Sequence, residues 1–335
     1  MLYVTTRDRF DAYTTPRVLC EPRGDDDGYF IPMNMPCFSR EELLEMTGKG
    51  FSHCVAEMLN IFFGSKLTSW DVEFCIGRHP VKLQKQMQQI YMAELWHNLD
   101  RRYDRLEKTL IQRLNEKGRT MCPDGWLRIA VKIAVIFGVY AQLLSSGFSQ
   151  EEEFDVALTA GEFPWLMAFF YARTMGLPLG KVICASEDSA QLWDFLRSGH
   201  TALGGRNSLP EELERLICCE FGWDEAKSFA MAYSQCNVYT LPEEGVEQLR
   251  QKLFVSVVSA SRYEQIIPNV YHTNGYILAV DSATAYSALQ DYRAKNGGMR
   301  TVLVLCKHNP VCDAQQVSGA MDITPARLKE LIGEN

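Results

Sequence analysis

Residues 154–198 read FDVALTAGEFPWLMAFFYARTMGLPLGKVICASEDSAQLWDFLRS. An apolar run at 154–160 predicts a strand. A helix follows at 163–175 with Pro164 in its first turn, where a missing N–H costs nothing. The Val-Ile-Cys-Ala run predicts a second strand over 181–186, and a helix over Ala190–Ser198 comes next. Strand, helix, strand, helix is the pattern of a parallel α/β unit, because parallel neighbours need a crossover and a helix supplies it.

Working outward, 126–144 is apolar on most sides and predicts a buried helix. Val-Leu-Val-Leu within 301–306 predicts another strand, and Thr324-Pro325 caps a last helix. Helices are predicted over 210–221, 223–234, 243–253 and 283–294, with a short extended piece at 275–280. Upstream, 2–6 is extended, Gly24 to Gly28 turn, and Ser39 with Glu41-Glu42 opens a capped helix. A further helical pattern covers 55–63. From 81 to 117 the apolar positions Leu83, Met87, Ile90, Tyr91, Leu95, Leu99, Tyr103, Leu106, Leu110 and Leu114 recur every three to four residues. No glycine or proline interrupts them, so this spacing predicts one long helix with a break possible near His97.

The 335 residues carry a net charge of −8, a pI near 5.4 and 47% hydrophobic residues, enough for one large or two ordinary packed domains. The acidic balance gives no reason to expect a nucleic-acid partner. The longest apolar run is broken by Lys132 and residues 1–11 lack the pattern of a signal peptide, so no membrane partner and a cytoplasmic location are expected. The eleven cysteines include no Cys-x-x-Cys pair, and the adjacent Cys218 and Cys219 suit neither a metal nor an ordinary disulfide. Reduced, buried thiols and no metal are expected.

Several stretches resemble the threonine synthase family, in the right order. Residues 2–7 (LYVTTR) look like its Y-x-S-T-R, and 27–32 (DGYFIP) like D-G-G-L-Y-V-P. Glu94-Leu95-Trp96-His97 is similar to E-L-[FW]-H, and 126–129 (WLRI) to N-W-x-R-I. The best match begins at Gly161: GEFPWLMAFFYARTMGLPLGKVICAS resembles T-G-N-F-G-N followed by Y-Y-A-x-x-M-G-L-P and I-C-A-S. Leu213-Glu214-Arg215-Leu216 resembles N-L-E-R-L, and Gly275-Tyr276 with Asp281 onward the late G-Y-x-x-D-P-H-T-A. The resemblance implies an α/β fold, a three-layer core like the large domain of type II pyridoxal-phosphate enzymes. It divides the chain into an N-terminal threonine synthase-like segment, 1–80, packed as one unit with an α/β core domain, 81–335.

The departures concentrate on the cofactor. Asp104 stands where the family carries its Schiff-base lysine, and a carboxylate cannot form an imine. Asn98-Leu99-Asp100 replaces the G-P-T loop. The S-G-D-T-G motif and its domain have no counterpart, since about ten residues separate the two core segments. The phosphate loop G-N-F-G-N has become Gly161-Glu162-Phe163-Pro164-Trp165: proline removes an N–H donor, tryptophan adds bulk, and Glu162 puts a negative charge where an anion would lie. The family's T-A-H-P is here Lys307-His308-Asn309-Pro310 after Cys306.

These losses imply a member with its smaller domain deleted, no bound pyridoxal phosphate, and a scaffold, binding or regulatory role. A homodimer or pairing with an active relative is one expected partnership. Two alternatives stay open: a pyridoxal-phosphate-dependent carbon–oxygen lyase acting on O-phosphohomoserine, and a small-metabolite sensor. Each vestigial position also has a plain reading. His97 reads as a leftover site residue or a packing histidine, Asp104 as a solvated helix charge between Arg101 and Arg105. Lys307 and His308 sit at a strand end, where α/β proteins place functional groups. Lys181 reads as a solvent-facing lysine.

Overall fold

The computed structural model describes residues 1–78, 81–87, 89–97, 111–112, 125–159, 163–186, 190–202, 212–235, 238–259 and 261–333. Asp104, Gly161 and Glu162 lie outside these residues, as does most of the span 98–124.

Eleven strands are described: β1 Leu2–Thr5, β2 Tyr13–Thr14, β3 Phe30–Pro32, β4 Lys82–Lys85, β5 Ile90–Glu94, β6 Phe154–Thr159, β7 Leu179–Ser186, β8 His200–Ala202, β9 Val238–Thr240, β10 Leu253–Val257 and β11 Val302–Cys306. Six form the central sheet in the order β10-β7-β6-β11-β5-β4. Five of these run parallel, and β4 closes one edge antiparallel to β5. The predicted unit stands at its centre: β6, the helix Phe163–Thr174, then β7 paired parallel to β6.

Alternate residues of each strand feed two separate apolar clusters, so the sheet is the middle of three layers. Tyr91, Val156, Val182, Leu303 and Leu305 join the helices Phe51–Phe63, Trp126–Ser145 and Phe163–Thr174 on one face. Ile90, Met92, Ala157, Ile183 and Val304 join Tyr263–Asn274 and Val280–Asn296 on the other. The three-layer α/β core expected from the resemblance is thus observed. Among the described residues there is one such sheet and no second α/β layer beside it. The helix Trp126–Ser145 is long and apolar enough to cross a membrane by length alone, yet it is mostly buried within the fold, Lys132 included.

The long helix predicted from residue 81 is a correction. Residues 82–85 and 90–94 are the two strands of a hairpin, with Gln86 N–H donating to the Ile90 carbonyl and Gln89 at φ 58° in the turn. All five residues of β5 are buried, because helices cover both faces of the sheet. Its side chains therefore show no alternation, and the surrounding lysines and glutamines are good helix formers that the sheet overrides. Beyond His97 the predicted helix falls mostly outside the described residues. The segment expected as a short extended piece at 275–280 joins no sheet; Ala279 has extended backbone, and the helix after it starts at Val280.

Residues 1–78 add the sheet β2-β1-β3 and helices that share the first apolar cluster. The Ser39 cap is present as a reciprocal pair with Glu42, and Thr324 caps the last helix through the Arg327 N–H. Helix Phe51–Phe63 lies against Trp126–Ser145 at Gly138, where an added Cβ would sit 2.7 Å from the Phe51 ring. Gly138→Ala should therefore cost about 1–3 kcal/mol from overpacking, read as a lower urea midpoint. Gly176 of the Met-Gly-Leu-Pro run has φ +101° and packs 2.5 Å, at its would-be Cβ, from the Phe38 carbonyl, a position that a side chain cannot take.

Candidate functional site at the strand ends

In an open α/β sheet, ligands collect beyond the carboxyl ends of the strands where the strand order reverses. Here the chain runs outward through β6, β7 and β10, and then β11 returns between β6 and β5. The residues that leave β5 and β11 at this point are Glu94, Trp96 and His97, and Cys306, Lys307, His308 and Asn309.

A cleft of about 670 Å³ opens there, within the usual range for small-molecule sites. Glu94, Trp96, His97, Tyr271, Tyr276 and Asn309 are among its lining residues, and Lys82 lies on the β4 side. The Tyr276 hydroxyl donates to Glu94 Oε1 at 2.9 Å, and Glu94 Oε2 meets His97 Nε2. Glu94 is buried by the end of the sheet, whereas His97 remains about one-third exposed. Burial, with Cys306 and Glu94 adjacent, pushes the Tyr276 phenol well above its ordinary range, so it stays a donor.

Across β11 lies a second cluster. Asp281, at the start of the helix Val280–Asn296, accepts from the Ser282 N–H at 2.7 Å and the Ser282 hydroxyl at 3.2 Å. His308 Nδ1 stands 3.5 Å from Asp281 Oδ2. Burial raises the Asp281 carboxyl, against the pull of Lys307 and His308, with Asp313 adding to the rise. Burial also raises the Cys306 thiol, which touches Ser282 and Tyr276 and so lies between the two clusters as a neutral group. Together they form a polar seam from His97 to His308.

Asp281 has a testable sign. Its folded value lies above the ordinary 3.8, so the native state holds the proton more tightly than the unfolded chain does. The stability from this group is present below about pH 3.8 and is lost as pH rises through the raised folded value. Asp281→Asn should remove that loss, and its stability relative to wild type should climb with pH above about 4. Urea unfolding of both proteins between pH 4 and 8 checks it; a flat difference would refute it.

At the vestigial phosphate loop, Phe163, Pro164 and Trp165 are all buried at the start of their helix. Trp165 is 1% exposed, with Lys132 Nζ 5.5 Å from its ring centre. The void beside it, lined by Ile136, Leu143, Phe154 and Phe169 among others, measures about 10 Å³, barely enough for one water. Lys181, set aside as a plain lysine, donates to the carbonyls of Arg250 and Gln251 and so closes the helix Glu243–Lys252. Burial pushes Cys218 and Cys219 up to about 12, as inert thiols. Among the described residues no cluster of metal-binding side chains occurs. Tyr276, Asp281 and Ser282 were not singled out as site residues from sequence; the Glu-x-x-His spacing of Glu94 and His97 was the usable signal.

Residues 2–79 match the family described as Threonine synthase N terminus. Human threonine synthase-like 1 is 30% identical over 175 residues, which is 48% of this chain and 23% of that protein; the mouse protein is 29% identical over 174 residues. The chain spans about a quarter of the length of the curated relatives it matches. Among solved structures, pyridoxal-phosphate-bound threonine synthase from Brucella melitensis superposes with a TM-score of 0.79 at 18% identity, covering 100% of this chain and 95% of that one. Threonine synthase from yeast gives 0.83 at 14%, covering 100% and 94%, and that from Escherichia coli 0.70 at 15%, covering 97% and 92%. At these identities the likeness is one of fold.

Proposed function

We propose that this chain, whose residues 2–79 match the threonine synthase N-terminal family and whose fold is that of threonine synthases, is a threonine synthase-like protein whose cleft binds a ligand without pyridoxal-phosphate chemistry. The observation that carries this reading is the burial of Phe163-Pro164-Trp165 at the helix start where the family resemblance places the phosphate loop. A phosphate needs free backbone N–H groups and open space. Pro164 lacks the donor and the Trp165 indole is enclosed in the core. The group that would attach the cofactor is aspartate at position 104. Lys307, at the end of β11, is buried and acts on Asp281. The residues present do not fit pyridoxal phosphate.

What remains is a shaped cleft with a buried carboxylate, a histidine and a tyrosine at its wall, which supports a binding or regulatory role, including pairing with an active relative. The test is direct. Incubated with pyridoxal phosphate, the protein should show no internal-aldimine absorption and no borohydride-trapped lysine adduct. An adduct at any lysine would overturn the reading and favour the lyase alternative.

A further inference from the structure

A carboxylate taken out of water needs an opposite charge or a full set of hydrogen bonds. Asp155, Glu214 and Glu220 obey this rule with side chains 3%, 4% and 3% exposed. Arg300 reaches Asp155 at 3.1 Å, Arg7 reaches Glu214 at 2.9 Å, and Lys252 reaches Glu220 at 2.6 Å. Asp281 has Lys307 and His308 beside it. Glu94 differs in that its ion-pair contact is a histidine, His97, and not a lysine or arginine. Its side chain is 7% exposed, and its partners are a neutral phenol and the His97 ring. Among the described residues, no lysine or arginine nitrogen lies within ion-pair distance of it. This carboxylate is also the buried one that lines the 670 Å³ cleft.

We propose that the cleft binds a small organic amine whose ammonium group pairs with Glu94, a buried carboxylate held by His97 and Tyr276 with no lysine or arginine partner among the described residues. The inference rests on the binding reading above and names its ligand class. Three features of the cleft point the same way. Glu94 supplies a desolvated negative charge, which attracts a cation far more strongly than an exposed one would. Trp96, Tyr271 and Tyr276 line the same space, and the faces of such rings attract ammonium ions. Lys82, opposite Glu94 in the β4–β5 register, stands exposed at the rim. There it can meet a carboxylate on the ligand without neutralising Glu94 itself. A phosphate dianion, by contrast, would have to lie against Glu94.

The test is a thermal-shift and calorimetric titration of the whole chain with tyramine, putrescine and choline, against sodium chloride of equal ionic strength and sodium phosphate. At saturation, at least one amine should raise Tm by about 2 °C or more over the salt control, and phosphate should not. Tyrosine beside tyramine shows whether a ligand carboxylate helps at Lys82. Glu94→Gln keeps a carbonyl acceptor for the Tyr276 hydroxyl and turns an amide N–H toward the His97 ring, but loses the charge, and should weaken the best amine at least tenfold. Tyr271→Leu, at a half-exposed ring, serves if that variant does not fold, and should weaken binding several-fold. Absence of any amine effect beyond salt would overturn the proposal, and so would unchanged affinity in Glu94→Gln or, in its place, Tyr271→Leu. A lysine adduct with pyridoxal phosphate would sink the reading above without altering these titrations, so the two failures are distinguishable.

Discussion

Glu214→Ala is expected to lower the unfolding free energy by about 3 kcal/mol, because it strips a buried ion pair of one partner. Glu214 accepts from Arg7 Nε at 3.1 Å and Nη2 at 2.9 Å, and from the Thr6 hydroxyl. Its neighbour Arg215, 2% exposed, donates to the Phe30 carbonyl and stacks 4.9 Å from the Tyr29 ring. The helix Glu212–Phe221 thereby bolts the N-terminal sheet to the core through two adjacent charges. Removing the carboxylate leaves the Arg7 guanidinium and the Thr6 hydroxyl in a largely dry site. Since Arg7 is still 23% exposed, water can recover part of that loss, which keeps the figure at the lower end of the range for buried pairs. Urea melts should show a lower midpoint with an unchanged slope. A loss under about 1 kcal/mol would mean that the N-terminal segment is held by apolar contact alone.

That clamp shows what kind of information the sequence carried. Leu213 to Leu216 were readable as a resemblance, but nothing in their spacing says that both charges turn inward, 207 and 185 residues away from their partners Arg7 and Phe30. The parallel unit at 154–198 was readable because its strands and helix are apolar runs separated by glycine and proline turns. The hairpin at β4 and β5 was not. Leu83, Met87 and Ile90 happen to fall at helical intervals, and a strand covered on both faces has no polar side to betray its period. The same holds for β10, Leu253–Val257, which the predicted helix over 243–253 simply ran into.

The candidate site was legible only in its outline. Lys307 and His308 were read at a strand end and His97 inside a predicted helix, and the structure sets His97 just past the end of β5 and the other two at the end of β11. What joins them is Tyr276 and Glu94 on one side and Asp281 with Ser282 on the other. The Tyr276–Glu94 contact links residues 182 positions apart, and the register of β5 against β11, Glu94 beside Cys306, brings the two clusters together. Sequence could name the polar residues; the sheet decides which ones meet.

Trp165→Asn, which puts back the residue type that the family resemblance places in the phosphate loop, should cost about 3–5 kcal/mol and restore no cofactor binding. The indole is 1% exposed, tilted against Phe169 at 6.4 Å, and lies beneath the buried ammonium of Lys132. Truncation opens a cavity in the layer beneath the sheet and deprives Lys132 of the ring face it sits over. An asparagine there also brings a polar amide into an apolar surround, at a further desolvation cost. Pro164 would still withhold its donor, so no anion nest forms around the new side chain. The expected result is a large drop in urea midpoint together with an absorption spectrum, after incubation with pyridoxal phosphate, like that of the free aldehyde. A folded Trp165→Asn variant of near wild-type stability would show that the loop still has slack for an anion. The large loss expected instead would mean that the residue filling the old phosphate position has become part of the core, so that recovering the ancestral site demands several simultaneous changes rather than one.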